Sequence, residues 1–239
     1  MDNTNYIALS KQAALFRQMD VIANNIANAN TPGFQGEEMH FSDYMVSSSN
    51  NQKLDFTNDD FTVRNMDEGE IVKTGRPLDV AISGQGYFSV QTPLGTRYTR
   101  AGNFQLDPNN QLVTQQGYPI LNDAGVPITL DSKDTNIQIN SDGTINSRGQ
   151  VIAKIGVVDF AAPQLLQKTG GSLYSSDADP TAVIAPKVTQ GAIESSNVST
   201  IKALTAMIEV QQGVSDTSNL ISNLDTMKRN AVQTISKQG

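Results

Sequence analysis

The sequence predicts an α+β protein: two long terminal helices packed as a coiled coil, plus a central antiparallel β-domain. Three observations carry that expectation. Thr4 to Ala29 contain neither Pro nor Gly, and their apolar residues recur at helical spacing. Asn197 to Ile235 contain no Pro and repeat the pattern. Between these ends the chain breaks into short alternating runs separated by Gly, Asn, Asp and Pro, the residues of tight turns.

In the first helix Leu15, Met19, Ile22, Ile26 and Ala29 follow in steps of four and three, a heptad seam. Thr31-Pro32-Gly33 should end it, because Pro removes a donor and Gly favours the left-handed turn that closes helices. The last helix keeps the same register through Ala203, Met207, Val210, Val214, Thr217, Ile221, Leu224, Ala231 and Ile235, with Lys228 interrupting it. Gly213 lies inside this helix, where it costs about 1 kcal/mol relative to Ala. Ser195 and Ser196 offer N-cap oxygens ahead of it.

The middle of the chain reads as strands and turns. Leu78–Ile82 and Tyr87–Val90 are strand-like, with Gly84 and Gly86 at the bend. Gly102 to Thr114 reads as a hairpin with Asp107-Pro108-Asn109-Asn110 at its tip. Ile137 and Ile139 lead to the turn Ser141-Asp142-Gly143, followed by Thr144 and Ile145, and Val151 to Phe160 is the most apolar strand. The expected domains are therefore 1–35 with 190–239 as a helical domain, 36–73 as an extended connection, and 74–189 as the β-domain. The connection is polar, centred on Ser47-Ser48-Ser49-Asn50-Asn51, with little periodicity.

An apolar helix stripe must be buried against something, or the helix is marginal in water. Pairing the two terminal helices is the economical solution, and assembly with other chains extends it. On the first helix, Asn24 lies across from the seam with Asn28 and Arg17 beside it, where Glu, Lys or Gln would be better helix formers. Ala23 and Ala27 lie between and allow close approach. Two readings stand for this face: amides that donate and accept suit packing against identical neighbours, or the chain simply tolerates Asn here as elsewhere. The candidate assembly residues are Leu15, Met19, Ile22, Asn24, Asn25, Ile26 and Asn28 on the first helix. On the last they are Met207, Val210, Val214, Ile221 and Leu224.

Bulk properties narrow the function. The 239 residues carry no Cys, no Trp and one His, with 6% aromatic residues, so a core must rest on Val, Ile, Leu and Ala. Without Cys there is no disulfide framework and no thiolate metal site. The net charge is −7 and no Lys/Arg run stands out, which argues against a nucleic-acid surface. No apolar stretch approaches the roughly 20 residues that span a bilayer, and Met1 to Asn5 show no signal-peptide pattern. His40, the single histidine, sits in the polar connection and is a poor candidate for catalysis. Ser83-Gly84-Gln85-Gly86 lies between two strands and so reads as a turn, since a phosphate loop opens a helix. Asp59-Asp60 and Asp131 to Asp134 fit no Ca²⁺ loop spacing. No enzyme, cofactor or metal is expected.

Val21-Ile22-Ala23-Asn24-Asn25-Ile26-Ala27-Asn28, continuing to Phe34, closely resembles the N-terminal signature of flagellar basal-body rod and hook proteins. Gly75-Arg76-Pro77-Leu78-Asp79-Val80-Ala81-Ile82 followed by Gly84 to Phe88 resembles a second block of that family. Tyr98 to Phe104 and Gly117 to Ile120 extend it, and Gly191 to Val198 form a third block. The blocks stand in family order over most of the chain, and length and opening favour the proximal-rod branch. Ser199 to Thr205 and Gln211-Gln212-Gly213 depart from the family pattern.

The resemblance implies a structural subunit of the rod that crosses the periplasm and transmits torque. Its terminal helices would form the tubular core and its β-domain an outer layer. Implied partners are other rod subunits, copies of itself and the flagellar type III export apparatus, without nucleic acid or membrane insertion. A distal-rod or hook-like subunit, or a secreted β-domain binding module, remains as an alternative reading.

Overall fold

The structure is a computed structural model describing residues 2–47, 53–131 and 137–238, with backbone alone at 2–5, 41–47, 53–61, 231–232, 235 and 237–238. Helix α1 spans Asp2–Ala27 and is followed by β1 (Glu37–Ser47), β2 (Lys53–Arg64) and β3 (Ile71–Lys73). Then come β4 (Val80–Ser83), β5 (Tyr87–Thr92), β6 (Gly95–Thr99), β7 (Gln105–Leu106) and β8 (Leu112–Val113). Next are β9 (Ile137–Ile139), β10 (Thr144–Ser147), β11 (Gln150–Lys154) and β12 (Val157–Asp159). The chain ends through β13 (Gln167–Gly170), β14 (Leu173–Ser175), β15 (Thr181–Ala182), β16 (Lys187–Gln190), β17 (Ala192–Glu194) and helix α2 (Thr200–Gln238). The architecture is α+β, and its strand pairs are antiparallel.

Two compact units divide the chain. Unit 1 holds Met1–Ala27, Glu37–Asn65 and Ser199–Gly239; unit 2 holds Asn28–Gly36 and Met66–Val198. Much of the expected extended connection holds regular strands in unit 1. Residues 37–47 and 53–64 form a long antiparallel hairpin pair, β1 with β2, running from Glu37↔Arg64 to Ser47↔Lys53 with one irregularity at His40/Phe41. Its strands lack strict alternation of apolar and polar side chains, so the period-2 signal that marks a strand is weak. Ser48 to Asn51, at the centre of the expected connection, lie outside the described residues, as do Ser132 to Asp134.

Unit 2 is built on a six-stranded sheet in the order β13-β14-β6-β5-β12-β15, a three-stranded sheet β11-β10-β9, and the pairs β16-β4, β17-β3 and β7-β8. The expected hairpin at 102–114 is formed by β7 and β8, and the Asp107 carboxylate accepts the backbone N–H groups of Asn109 and Gln111 at its tip. In the Ser141-Asp142-Gly143 turn, the Thr144 N–H and hydroxyl both donate to the Asp142 carboxylate and hold that acid below its ordinary range.

The single strand expected over Val151 to Phe160 is two strands in different sheets. It breaks at Ile155-Gly156, where a side chain on Gly156 would sit 2.6 Å from the Asn122 carbonyl oxygen. That close approach lets the Gly156 N–H reach the Leu121 carbonyl and sends the chain from one sheet to the next.

One buried cluster, including Val80, Phe88, Phe104, Leu112, Ile120 and Ile155, forms the main core. Aliphatic side chains dominate it, yet Phe88 and Phe104 meet edge to face at 5.0 Å within it. A second cluster gathers four aromatic rings, Tyr87, Tyr98, Phe160 and Tyr174, with Leu166. Few aromatics thus serve as large anchors because they are concentrated in one place. Burial there pushes the Tyr98 phenol pKa up.

Candidate assembly interface

Helices α1 and α2 are in contact with each other within unit 1, and α1 also touches both strands of the β1–β2 hairpin. The direction of pairing follows from two contacts. The Gln12 side-chain amide donates to the Ser218 hydroxyl at 3.0 Å, and the Leu15 methyls lie about one side-chain contact from Gly213. Position rises along one helix as it falls along the other, so the helices run antiparallel.

Exposure follows the expected seam along α2. Ala203, Met207, Val214, Ile221, Leu224 and even Lys228 are half-buried, while Val210 and Thr217 are buried. The Thr217 hydroxyl donates to the Gly213 carbonyl at 2.8 Å, which satisfies a polar group at a buried seam position. Ala231 and Ile235, the end of the seam, have side chains outside the description. On α1, Leu15, Met19, Ile22 and Ile26 are half-buried. Ala8 and Ala14 are fully buried although the seam reading omitted them. Ala8 continues the seam one heptad before Leu15, whereas Ala14 lies off it, and the β1–β2 hairpin also packs on α1.

The asparagines separate in role. Asn25 is half-buried, donates to the Glu37 carbonyl at 2.7 Å and accepts the Glu37 N–H at 3.0 Å. It pairs with the first residue of β1 as another strand would, fastening the hairpin to α1. Asn28 follows the helix, its carbonyl accepting the Thr31 N–H and its side-chain oxygen the Thr31 hydroxyl. Asn24 is exposed. A helical wheel cannot separate these roles, because the contact that distinguishes Asn25 comes from a strand outside the helix.

Helix α2 begins at Thr200, so Ser195 and Ser196 do not cap it. They lie in the preceding passage, where the Ser196 hydroxyl accepts the Val198 N–H. Gly213 has room for a methyl, since an added Cβ would meet Leu15 at 3.4 and 3.5 Å, an ordinary contact. Gly213→Ala is therefore expected to stabilise unit 1 by roughly 0.5–1 kcal/mol, measured by thermal melting of the helical circular-dichroism signal. A fall in melting temperature would contradict this packing.

Large apolar side chains also stand outside the seam. On α1, Tyr6, Leu9 and Phe16 are exposed, Tyr6 by 66%. They share a heptad phase with exposed Ala13, Ala23 and Ala27. On α2, Ile201, Leu204, Ile208, Leu220 and Met227 are exposed, Ile201 by 80%. These residues were legible as a second stripe at steps of three and four in α1, but the stronger seam masks it. Single exposed apolar residues are ordinary; a run along one helix face marks a surface made for contact.

The remaining sequence candidates, His40, Ser83 to Gly86 and Asp59-Asp60, lie outside the two helices. His40 is exposed on β1. Gly84 and Gly86 turn between β4 and β5 with φ of 93° and 135°, and their carbonyls accept hydrogen bonds from Arg100. A phosphate cradle would present N–H groups instead. Asp59 and Asp60 have side chains outside the description. Among the described residues, no helix is long and apolar enough to cross a membrane.

Three family models match the chain: "Flagella basal body rod protein" over residues 6–35, "Flagellar hook protein FlgE/F/G D1 domain" over 81–147, and "Flagellar basal body rod FlgEFG protein C-terminal" over 189–234. The chain is 35% identical to the flagellar basal-body rod protein FlgF of Caulobacter vibrioides, covering 99% of both chains. It is 33% identical to FlgF of Mesorhizobium japonicum over 98% of both. It is 31% identical to the basal-body rod protein FlgG of Bacillus subtilis, over 95% of this chain and 97% of the relative. The first and last matched segments fall on α1 and α2.

Proposed function

Because the chain belongs to the flagellar basal-body rod family, as an FlgF-like structural subunit of that rod, we propose that its terminal helices are the surface through which it assembles. In this reading α1 and α2 form an antiparallel coiled coil. Carried on from Gln12–Ser218 and Leu15–Gly213, the offset sets Met19 beside Val210 and Ile22 beside Met207. The seam residues Leu15, Met19, Ile22, Ile26, Met207, Val210, Val214, Ile221 and Leu224 then hold the subunit's own helix pair together. Asn24, with the exposed stripe of Tyr6, Leu9 and Phe16 and the exposed Ile201, Leu204 and Ile208, faces neighbouring subunits. Asn25 and Asn28 act within the subunit, and shape that surface indirectly.

The observation that carries this is the second apolar stripe: large side chains exposed along helices whose other side is already covered. Copies of the chain and other rod subunits are the partners. Unit 1 builds the rod's core and unit 2 its outer layer, so the assembled shaft transmits torque across the periplasm. Delivery is through the flagellar type III export apparatus, and the protein performs no catalysis. The FlgF relatives favour the proximal rod. The near-full-length match to FlgG keeps the distal rod as the second reading.

Complementation tests both. The gene should restore swimming to a motile bacterium lacking only its FlgF, and Leu9→Ser with Phe16→Ser should fold yet fail to restore it. Rescue of a strain lacking FlgG alone would move the protein to the distal rod. Rescue by the double variant as good as by the parent would remove the stripe from assembly.

A further inference from the structure

We propose that Glu194 and Asn197 form a polar clasp that fastens three chain passages of unit 2 together, so that load passing into the β-domain is shared among parallel hydrogen bonds. The proposal rests on the rod-subunit reading for its load and on unit 2 alone for its geometry. The passages are residues 28–36, which follow α1 and lead into β1; residues 66–70, which follow β2; and residues 195–198, which lead into α2. Every covalent connection between the two units runs through them.

Most of these passages lie outside regular strands, so their backbone groups need other partners. Asn197 supplies several. Its side-chain oxygen accepts the Gly36 N–H at 2.8 Å, its side-chain amide donates to the Asp67 carbonyl at 2.9 Å, and its own N–H donates to the Phe34 carbonyl at 3.3 Å. One residue thus binds the first passage to the second and the third to both.

Glu194 repeats the arrangement three residues earlier. Its carbonyl accepts the Gly33 N–H at 2.8 Å, and one carboxylate oxygen accepts the Gly69 N–H at 3.1 Å. The other carboxylate oxygen accepts Arg100 Nε at 2.7 Å. Arg100 in turn donates from Nη1 to the carbonyls of Gly84 and Gly86, at 2.8 and 2.9 Å. The clasp is therefore tied to the bend between β4 and β5, beside the main core.

Glycine makes this convergence possible. A side chain on Gly33 would overlap the backbone of Arg100 and Ala101, and one on Gly69 would overlap the Ser195 carbonyl. A tensile load on a single irregular passage would open its hydrogen bonds one after another. Cross-linked by Glu194 and Asn197, the passages must open together.

Hydrogen exchange on the full-length chain tests the clasp, with swimming under load as the second readout. Asn197→Ala should speed exchange of the Gly33–Gly36 and Gly69 amides by about tenfold or more, leaving β5 amides at their parent rate. Asn197→Asp, which keeps the acceptor for Gly36 but loses the donor to Asp67, should restore protection at Gly36. Cells carrying Asn197→Ala should build rods and swim normally in dilute medium but lose speed more steeply than the parent as viscosity rises. Uniform acceleration throughout unit 2, or none at Gly36, would overturn the clasp. Parent-like swimming at high viscosity would overturn its part in carrying load. Failure of the parent gene to restore swimming would instead overturn the rod reading, leaving the exchange result intact.

Discussion

Glu194→Ala is expected to destabilise unit 2 by about 3–5 kcal/mol, the cost of leaving a buried charge without its partner. Arg100 is 4% exposed and Glu194 2% exposed, and both lie within the same unit. Truncation strands the guanidinium and also removes the acceptor of the Gly69 N–H. A loss of that size is a large fraction of the stability of an ordinary domain, so the full chain should unfold its β-domain at much lower urea.

Four of the six tyrosines, Tyr87, Tyr98, Tyr118 and Tyr174, lie in unit 2, and the chain has no Trp. Tyrosine fluorescence therefore follows that transition. Glu194→Gln keeps the shape and an acceptor and should cost clearly less. A midpoint within experimental error of the parent for Glu194→Ala would show that the pair contributes nothing to unit 2.

Val210→Asp is expected to abolish the pairing of α1 with α2 and with it rod assembly. Val210 is 6% exposed near the middle of the seam. A carboxylate placed there would stand among the apolar seam residues, and burying such a group unpaired costs several kcal/mol. Neither helix is strongly stable without a partner, because most helical stability in proteins comes from packing of the apolar face. The helical circular-dichroism signal should fall while the tyrosine transition of unit 2 stays at its parent position. A variant that keeps its helical signal and restores swimming would place the seam outside assembly.

Much of unit 1 was written in local pattern. Heptad spacing placed Met207, Val210, Val214 and Ile221 on one covered side of α2, because a helix puts residues three and four apart on the same face regardless of what covers it. Thr31-Pro32-Gly33 likewise lies just beyond α1, as the chemistry of Pro and Gly requires. The hairpin was not legible in that way. Its strands carry mixed side chains, and their pairing is a property of two segments at once.

The same limit governed the strand expected over Val151 to Phe160. A run of apolar residues states that a segment is buried, but not that Gly156 will meet Asn122 and redirect the chain between sheets. Asn25 stands in the sequence only as one assembly candidate among several asparagines. Only the position of Glu37 distinguishes an amide that fastens a strand from one on an open face.

By itself, then, the sequence determined an α+β chain with long apolar-striped helices at both ends and a turn-rich β region between them. Those are consequences of periodicity and of residues whose conformational preferences act within a few positions. The tertiary structure alone decided the hairpin laid on α1 and the meeting of Arg100, Glu194 and Asn197. Each of these joins groups far apart in the chain through hydrogen bonds or contacts of a few ångströms, and no local preference encodes which distant partner will be there.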